Sequence, residues 1–473
     1  MKQIKNTLLV VFAAIFFASC SDDFLEPVPT SVLSGANYYT TAEQVETAIF
    51  NIYDGIQGVN SNSTNDNHGI MYEFYLTEMR SDNTRTKSSE GEAAQFESYT
   101  IEATNGIVAD YYASFYNVIF RANIVLENIE AAGSSAAKFE AEAKFLRAYA
   151  YFNLVRLYGD VPLVDEVISP EDKEKTYTRV ASASVYGLIV SDLETAISGL
   201  SNGTKLRASK GAAQALLAKV QLTLGNYIEA QTLCESVINS AEYSLEANFK
   251  DVFYQEENGE IIFAIGYIED SNESQNFSAE WLNAVGRSSG VNYVTQDAKL
   301  AIDALGGDRT QFSYRVDVSQ PTQHQVVKYL PNGDTVLGIT ATSSDPQKAG
   351  NDWIVLRYAD VLLMHVEAIL AGGASTSSSN ALTSFNAVRN RAGLPVDTDG
   401  TISKQELLDE RRVELAFENH RLFDLMRMGI VQDVLSAFSA ANNYGFSSSD
   451  LLLPIPQREI GLSNGILKQN PGY

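Results

Sequence analysis

Two polar stretches of this chain carry aromatic rings among amides, carboxylates and guanidinium groups. One holds Asp82, Asn83, Arg85, Phe96 and Tyr99; the other holds Asn276, Phe277, Trp281, Arg287 and Tyr293. That mixture suits a sugar ring, which has apolar C–H faces and a polar rim. An aromatic ring packs beneath the face, and amide, carboxylate or guanidinium groups meet the hydroxyls. Sites of this kind are concave and are often built on loops over a rigid scaffold. Trp281 is the leading candidate, because one of only two tryptophans stands in a polar loop. Trp353, just before Arg357-Tyr358, is read as packed. The competing reading is that each aromatic anchors its own loop to the core.

Other chemistry is poorly represented. Residues 286–290 fit the G-x-S-x-G pattern of a nucleophile elbow, but that elbow needs a strand before the serine and a helix after it. The flanks here are loop-like. His68, His324, His365 and His420 have no neighbouring His or Cys at metal-ligand spacing, so no metal site is expected. No Gly-rich phosphate loop is present, and no cofactor is expected. No motif marks a glycosidase carboxylate pair among the plentiful acidic residues. The residues by themselves leave such a pair open.

The N-terminus adds a different chemistry. Lys2 and Lys5 precede an apolar run from Leu8 to Ala18, shorter than the ~20 residues of a membrane span. Ala18 and Ser19 then meet Cys20, followed by Ser21-Asp22-Asp23. This resembles a bacterial lipoprotein signal, and the resemblance implies removal of residues 1–19 and lipid modification of Cys20. No later segment is apolar enough to span a bilayer, so acyl chains on Cys20 would be the membrane contact. Net charge is −25 over 473 residues, with no basic patch, which excludes nucleic acid as a partner. The other cysteine, Cys234, lies at an apolar helical position and reads as a small buried side chain. The hydrophobic fraction of 45% is ample for a large core.

The elements that must position these residues are mainly helical. Apolar spacings of three and four predict helices over Thr41–Ile56, Ala109–Ala131, Ala136–Tyr158, Ser182–Leu200 and Ser209–Ser240. Within the last, Leu224-Gly225-Asn226-Tyr227 with Ala230 looks like the turn of a tetratricopeptide repeat. Helices return over Arg357–Ala371, Asn380–Arg391 and Ser403–Met428. Gly58 to Asn105 reads as a long loop interrupted by an apolar run from Ile70 to Leu76. Ala247 to Thr340 reads as short strands and loops, with Ile261–Ile265 a strand and Val326–Val336 a hairpin about Pro331-Asn332-Gly333-Asp334. On the helix read over Ser403–Met428, the spacings Glu418–Arg421, Arg421–Asp424 and Asp424–Arg427 suit ion pairs. These charges read as structural, packing the helix against the C-terminal tail, with Leu408, Leu415 and Leu422 facing inward.

Four segments together resemble the SusD/RagB family of outer-membrane nutrient-binding lipoproteins. They are Cys20-Ser21-Asp22-Asp23-Phe24-Leu25 with Tyr38-Tyr39; Arg357-Tyr358-Ala359-Asp360-Val361-Leu362-Leu363-Met364 with Glu367-Ala368; Val388-Arg389-Asn390-Arg391-Ala392-Gly393-Leu394, followed by the charged run from Glu410 to Gly429; and Leu453-Pro454-Ile455-Pro456, closing with Gln469-Asn470-Pro471-Gly472-Tyr473. One departure is Asn419, where the family more often has Gly. The resemblance implies a mainly α, SusD-like fold: a tetratricopeptide-type helical-repeat scaffold over about 41–56, 109–240 and 354–430. A loop-rich ligand-binding part over about 58–105 and 247–340 is interwoven with it, and residues 20–473 form one domain. It further implies a lipid-anchored, surface-exposed protein that binds oligosaccharide and serves a SusC-like TonB-dependent transporter without making or breaking bonds. The same architecture binding peptides is the alternative, and a surface glycoside hydrolase is a third reading.

Overall fold

The structure is a computed structural model that describes residues 38–58, 69–169, 171–281, 292–316, 321–397 and 399–473. The lipidation candidate Cys20, the leader, the tether, His68, Arg287 and the 286–290 motif lie outside the described residues.

Several helices start where a side chain can satisfy the free backbone N–H groups of a first turn. Thr41 caps the Ala42–Gln57 helix in a reciprocal box with Gln44, and Val45, Ile49, Ile52 and Ile56 form its buried stripe. Asn105 caps Gly106–Glu127, and Ser209 caps Lys210–Leu224. The Ala136–Tyr158 helix is central. Its alanines 141, 143, 148 and 150 are wholly buried, which lets neighbouring helices close on it from several sides. The span read as Ser209–Ser240 is two helices, Lys210–Leu224 and Tyr227–Asn239. Gly225 sits between them at φ +76, a left-handed conformation that glycine adopts without a Cβ clash. Cys234 is buried on the second of the pair. Tyr358–Leu370 packs on Tyr227–Asn239 and on Ser379–Arg391, continuing the row of antiparallel helices. No helix among the described residues is long and apolar enough to cross a membrane.

Three readings are corrected. The stretch 58–105 is not one loop: its apolar run forms the buried helix Gly69–Leu76, followed by the strand Thr84–Thr86 and the short helix Ala94–Ser98. The Val326–Val336 hairpin does not form. His324–Val326 pairs instead with Tyr314–Val316, and Gly333 tightens a separate turn closed by an Asp334–Ile339 bridge. The helix read over Ser403–Met428 is broken into Lys404–Glu414 and Arg421–Arg427. Between them Phe417 and Asn419 have φ of +67 and +62. Asn is among the few residues that tolerate this region, which accounts for Asn standing in a place that favours Gly.

That break redirects the charges. Asp424 and Arg427 pair at 2.7 Å as their spacing suggests, but Arg421 grips Asp82, and Glu418 binds Arg357 and Lys328, each at 2.6 Å. Glu414 receives Arg309 at 2.7 Å and Arg357 at 2.6 Å, and also contacts Arg391. The partners come from the loop-rich part, the Trp353–Arg357 strand and the Ser379–Arg391 helix, and not from the C-terminal tail. Burial would raise the Glu414 carboxyl, but Arg391, Arg357 and Arg309 outweigh it and hold it well below the usual range. A charge this deep persists only when paired. Arg309 and Lys328 therefore pin the loop-rich part to the helical scaffold. Leu408, Leu415 and Leu422 are buried beneath, as read from the sequence.

Candidate functional site

The two polar stretches meet in one small sheet. Thr84–Thr86 runs antiparallel to Asn292–Val294, with Arg85 opposite Tyr293. Side chains alternate across a strand, so Thr84, Thr86, Asn292 and Val294 are buried while Arg85 and Tyr293 share the outer face. The Arg85 guanidinium lies 5.8 Å from the Tyr293 ring centre. Glu97, from the Ala94–Ser98 helix, fixes it: Arg85 Nε donates to Glu97 Oε1 at 2.9 Å, and the Thr86 amide donates to Glu97 Oε2 at 2.7 Å. Arg85 Nη2 donates to the Tyr444 hydroxyl at 2.9 Å, and that hydroxyl in turn donates to Glu97. Burial and the Glu97 carboxylate push the Tyr444 phenol above its ordinary range, so it stays a donor.

This cluster borders a groove of about 630 Å³. Leu300 and Gln296 of the Gln296–Leu305 helix form one wall; Ala437, Phe438 and Asn442 of Val431–Asn442 form the other. Phe438 and Tyr444 have ring centres 6.2 Å apart. Asp82 lies at the floor, held by Arg421 through bonds of 2.8 and 2.9 Å and by Arg412 at 2.9 Å. Burial would raise the Asp82 carboxyl, but Arg412 and Arg421 outweigh it and bring it down to about 2. The groove thus offers the half-buried Phe438 ring beside fixed hydrogen-bonding groups, with Tyr293 and Tyr444 next to Arg85 at its edge, which is binding chemistry for a ring with apolar faces and a hydroxyl rim.

The structure sorts the sequence candidates. Asp82 and Arg85 line the groove, and Tyr293 stands beside Arg85 on the outer sheet face, outside the lining. Trp281, the leading candidate, is at neither place: it is 1% exposed, with its ring edge-on to Phe74 at 4.6 Å and against Phe417 at 6.1 Å. Phe277 packs between Phe74, Tyr329 and Trp353, and Phe96 stacks on Tyr75. Tyr99 is buried with its hydroxyl donated to the Arg80 carbonyl. For these rings the loop-anchoring reading holds, because each borders core aromatics that exclude water. Trp353 is buried as read. Asn83 is buried and accepts from Arg412 at 3.0 Å. Asn276 is half-buried and does not line the groove.

Glu97, Phe438 and Tyr444 were not singled out from sequence. A signal for Phe438 existed: Ala437 and Ala441, one turn apart and both exposed, leave a flat face beside it on a solvent-facing helix.

Comparison with known proteins bears on what this arrangement belongs to. A family model described as SusD family matches residues 283–473, and one described as starch-binding, associating with outer membrane, matches residues 23–222. This chain belongs to the SusD/RagB family. Association with the outer membrane goes with that membership. The chain is 28% identical to SusD-like protein P2 of Formosa agariphila, over the whole of both chains. It is similar to the solved structure of a laminarin binding SusD-like protein, with a TM-score of 0.76 and 26% identity over 92% of this chain and 100% of that one. Surface glycan-binding protein A from Bacteroides thetaiotaomicron, solved with laminarihexaose, shares the fold at a TM-score of 0.74 and 21% identity, covering 91% and 100% of the two chains. The two solved relatives are named as binding proteins and not as enzymes.

Proposed function

We propose that this protein is a cell-surface glycan-binding lipoprotein that captures oligosaccharide in the groove beside Arg85 and Tyr293. It then passes the sugar to a SusC-like TonB-dependent transporter. The observation that carries the reading is the pairing of an outward aromatic ring with a guanidinium fixed by Glu97 and Tyr444, at the edge of a groove of about 630 Å³. The similarity to a laminarin binding SusD-like protein supports it. Tyr293 supplies the face for a pyranose ring, Arg85 donates to its hydroxyls, and Phe438 extends the apolar wall.

Affinity gel electrophoresis and calorimetry with laminarin and other polysaccharides test the site. Tyr293→Ala costs about 1–1.5 kcal/mol, roughly tenfold in Kd, by removing one stacked face. Unchanged affinity in Tyr293→Ala and Arg85→Met overturns the assignment. The bound oligosaccharide is recovered intact; shortened products overturn the binding-only reading in favour of a hydrolase. Lipid anchoring rests on Cys20, and Cys20→Ala moves the protein from the membrane to the soluble fraction. The transporter partnership predicts co-purification with a TonB-dependent receptor from solubilised outer membranes.

A further inference from the structure

We propose that the groove takes uncharged oligosaccharides and turns away glycans bearing uronate carboxylates or sulfate esters, an inference that rests on the groove being the glycan site. Every guanidinium that lines it is neutralised in place. Arg85 pairs with Glu97 at 2.9 Å, Arg421 grips Asp82 at 2.8 Å, and Arg412 reaches both Asp82 at 2.9 Å and Asp297 at 2.8 Å. Three positive groups stand against three negative ones, and two of the carboxylates, Asp82 and Glu97, are at most 4% exposed. The buried pairs of Asp82 with Arg421 and Arg412 are fixed by packing and little screened by salt, whereas Asp297 and part of Arg85 face solvent.

An anionic sugar entering here would lose hydration and find no cation whose charge is uncommitted. It would also approach a chain of net charge −25, whose field repels it before contact. A hydroxyl meets neither penalty. A guanidinium whose charge is balanced still donates from its remaining N–H groups, and carboxylate oxygens still accept. Arg85 keeps 34% of its side chain exposed while bonded to Glu97 and Tyr444, so it can serve both partners at once. The apolar groups of the lining, Leu300 and Phe438, together with Tyr293 beside Arg85, then read the C–H faces.

The test uses the full chain without its leader on an array of uncharged and uronate- or sulfate-bearing oligosaccharides. Calorimetry follows with laminarin, xyloglucan, alginate and carrageenan at roughly 0.05 and 0.5 M salt. Uncharged probes bind at least about tenfold tighter than charged ones, and their Kd moves by less than about twofold between the two salt concentrations. A charged probe that binds as tightly, weakens with salt and is lost in Tyr293→Ala overturns the charge selection while leaving the site in place. Binding to neither class, or binding indifferent to Tyr293→Ala, removes the site and this inference with it. In a Glu97→Gln variant whose melting curve shows it folded, Arg85 is left one charge in excess, and alginate affinity rises at least about threefold. No rise in the folded variant refutes the role given to Glu97.

Discussion

Replacing Trp281 and Tyr293 one at a time separates core from site. Trp281 is 1% exposed and edge-on to Phe74 at 4.6 Å. Truncation to alanine loses its transfer free energy and leaves a cavity that the surrounding rings, Phe74 and Phe417, cannot fill by small shifts. Trp→Ala changes in such settings cost about 3–5 kcal/mol. With an unfolding entropy of roughly 2.1 cal/mol/K per residue, that lowers Tm by about 3–5 °C for a chain of this length. Tyr293 is half-buried on an outer sheet face, where a lost cross-strand partner costs about 0.2–1 kcal/mol. Glycan affinity behaves oppositely: Tyr293→Ala loses about tenfold, and folded Trp281→Ala loses less than about twofold. Differential scanning calorimetry and affinity electrophoresis on the same two preparations measure both quantities. A Trp281→Ala protein that melts within about 1 °C of wild type yet no longer binds laminarin refutes the burial argument and restores Trp281 to the site.

Other positions give independent checks. Glu414→Ala leaves Arg309 and Arg391 short of a partner in the core and costs about 3–5 kcal/mol, read as a fall in the urea midpoint or in soluble yield. Burial pushes the Glu78 carboxyl up to about 7, with hydrogen bonds from Asn83 and the Phe417 amide offsetting part of it. Its folded pKa is raised, so its unfavourable contribution is absent below pH 4.5 and grows as pH rises towards 7. Glu78→Gln keeps an acceptor for Asn83 and removes that loss, stabilising the protein by up to about 3 kcal/mol at pH 8 and not at pH 4; equal effects at both pH values refute the assignment. Ala371 caps its helix at φ +49 and is exposed, so Ala371→Gly raises stability by about 0.5–1 kcal/mol in urea titrations.

Local rules read from sequence carried much of the fold. The Thr41 cap with its Val45–Ile49–Ile52 stripe, the Gly225 turn and the alanine- and aromatic-rich helix ending at Tyr158 are set by three- and four-residue spacings and by backbone preferences of single residues. The family resemblance was legible for the same reason, since its motifs are runs of adjacent residues. Periodicity failed across Phe417–Asn419, because side chains that fit a helix on either side conceal two left-handed residues whose contacts come from elsewhere. It failed again at the hairpin, where a good turn signal lost to pairing between His324–Val326 and Tyr314–Val316.

Two residues of the groove, Asp82 and Arg85, fall in the first polar stretch, while its walls come from Gln296–Leu305 and Val431–Asn442; the chemistry expected of Arg85 and Tyr293 follows from their types alone. Which ring faces solvent does not. Tyr293 is outward because a strand alternates and its partner is Arg85, more than two hundred residues earlier. Trp281, equally polar in its neighbours, is enclosed because Phe74 and Phe417 reach it from distant helices and turns. Glu97 and Tyr444 fix the guanidinium from two further parts of the chain. Burial and pairing between remote residues are properties of packing, and no spacing along the chain encodes them.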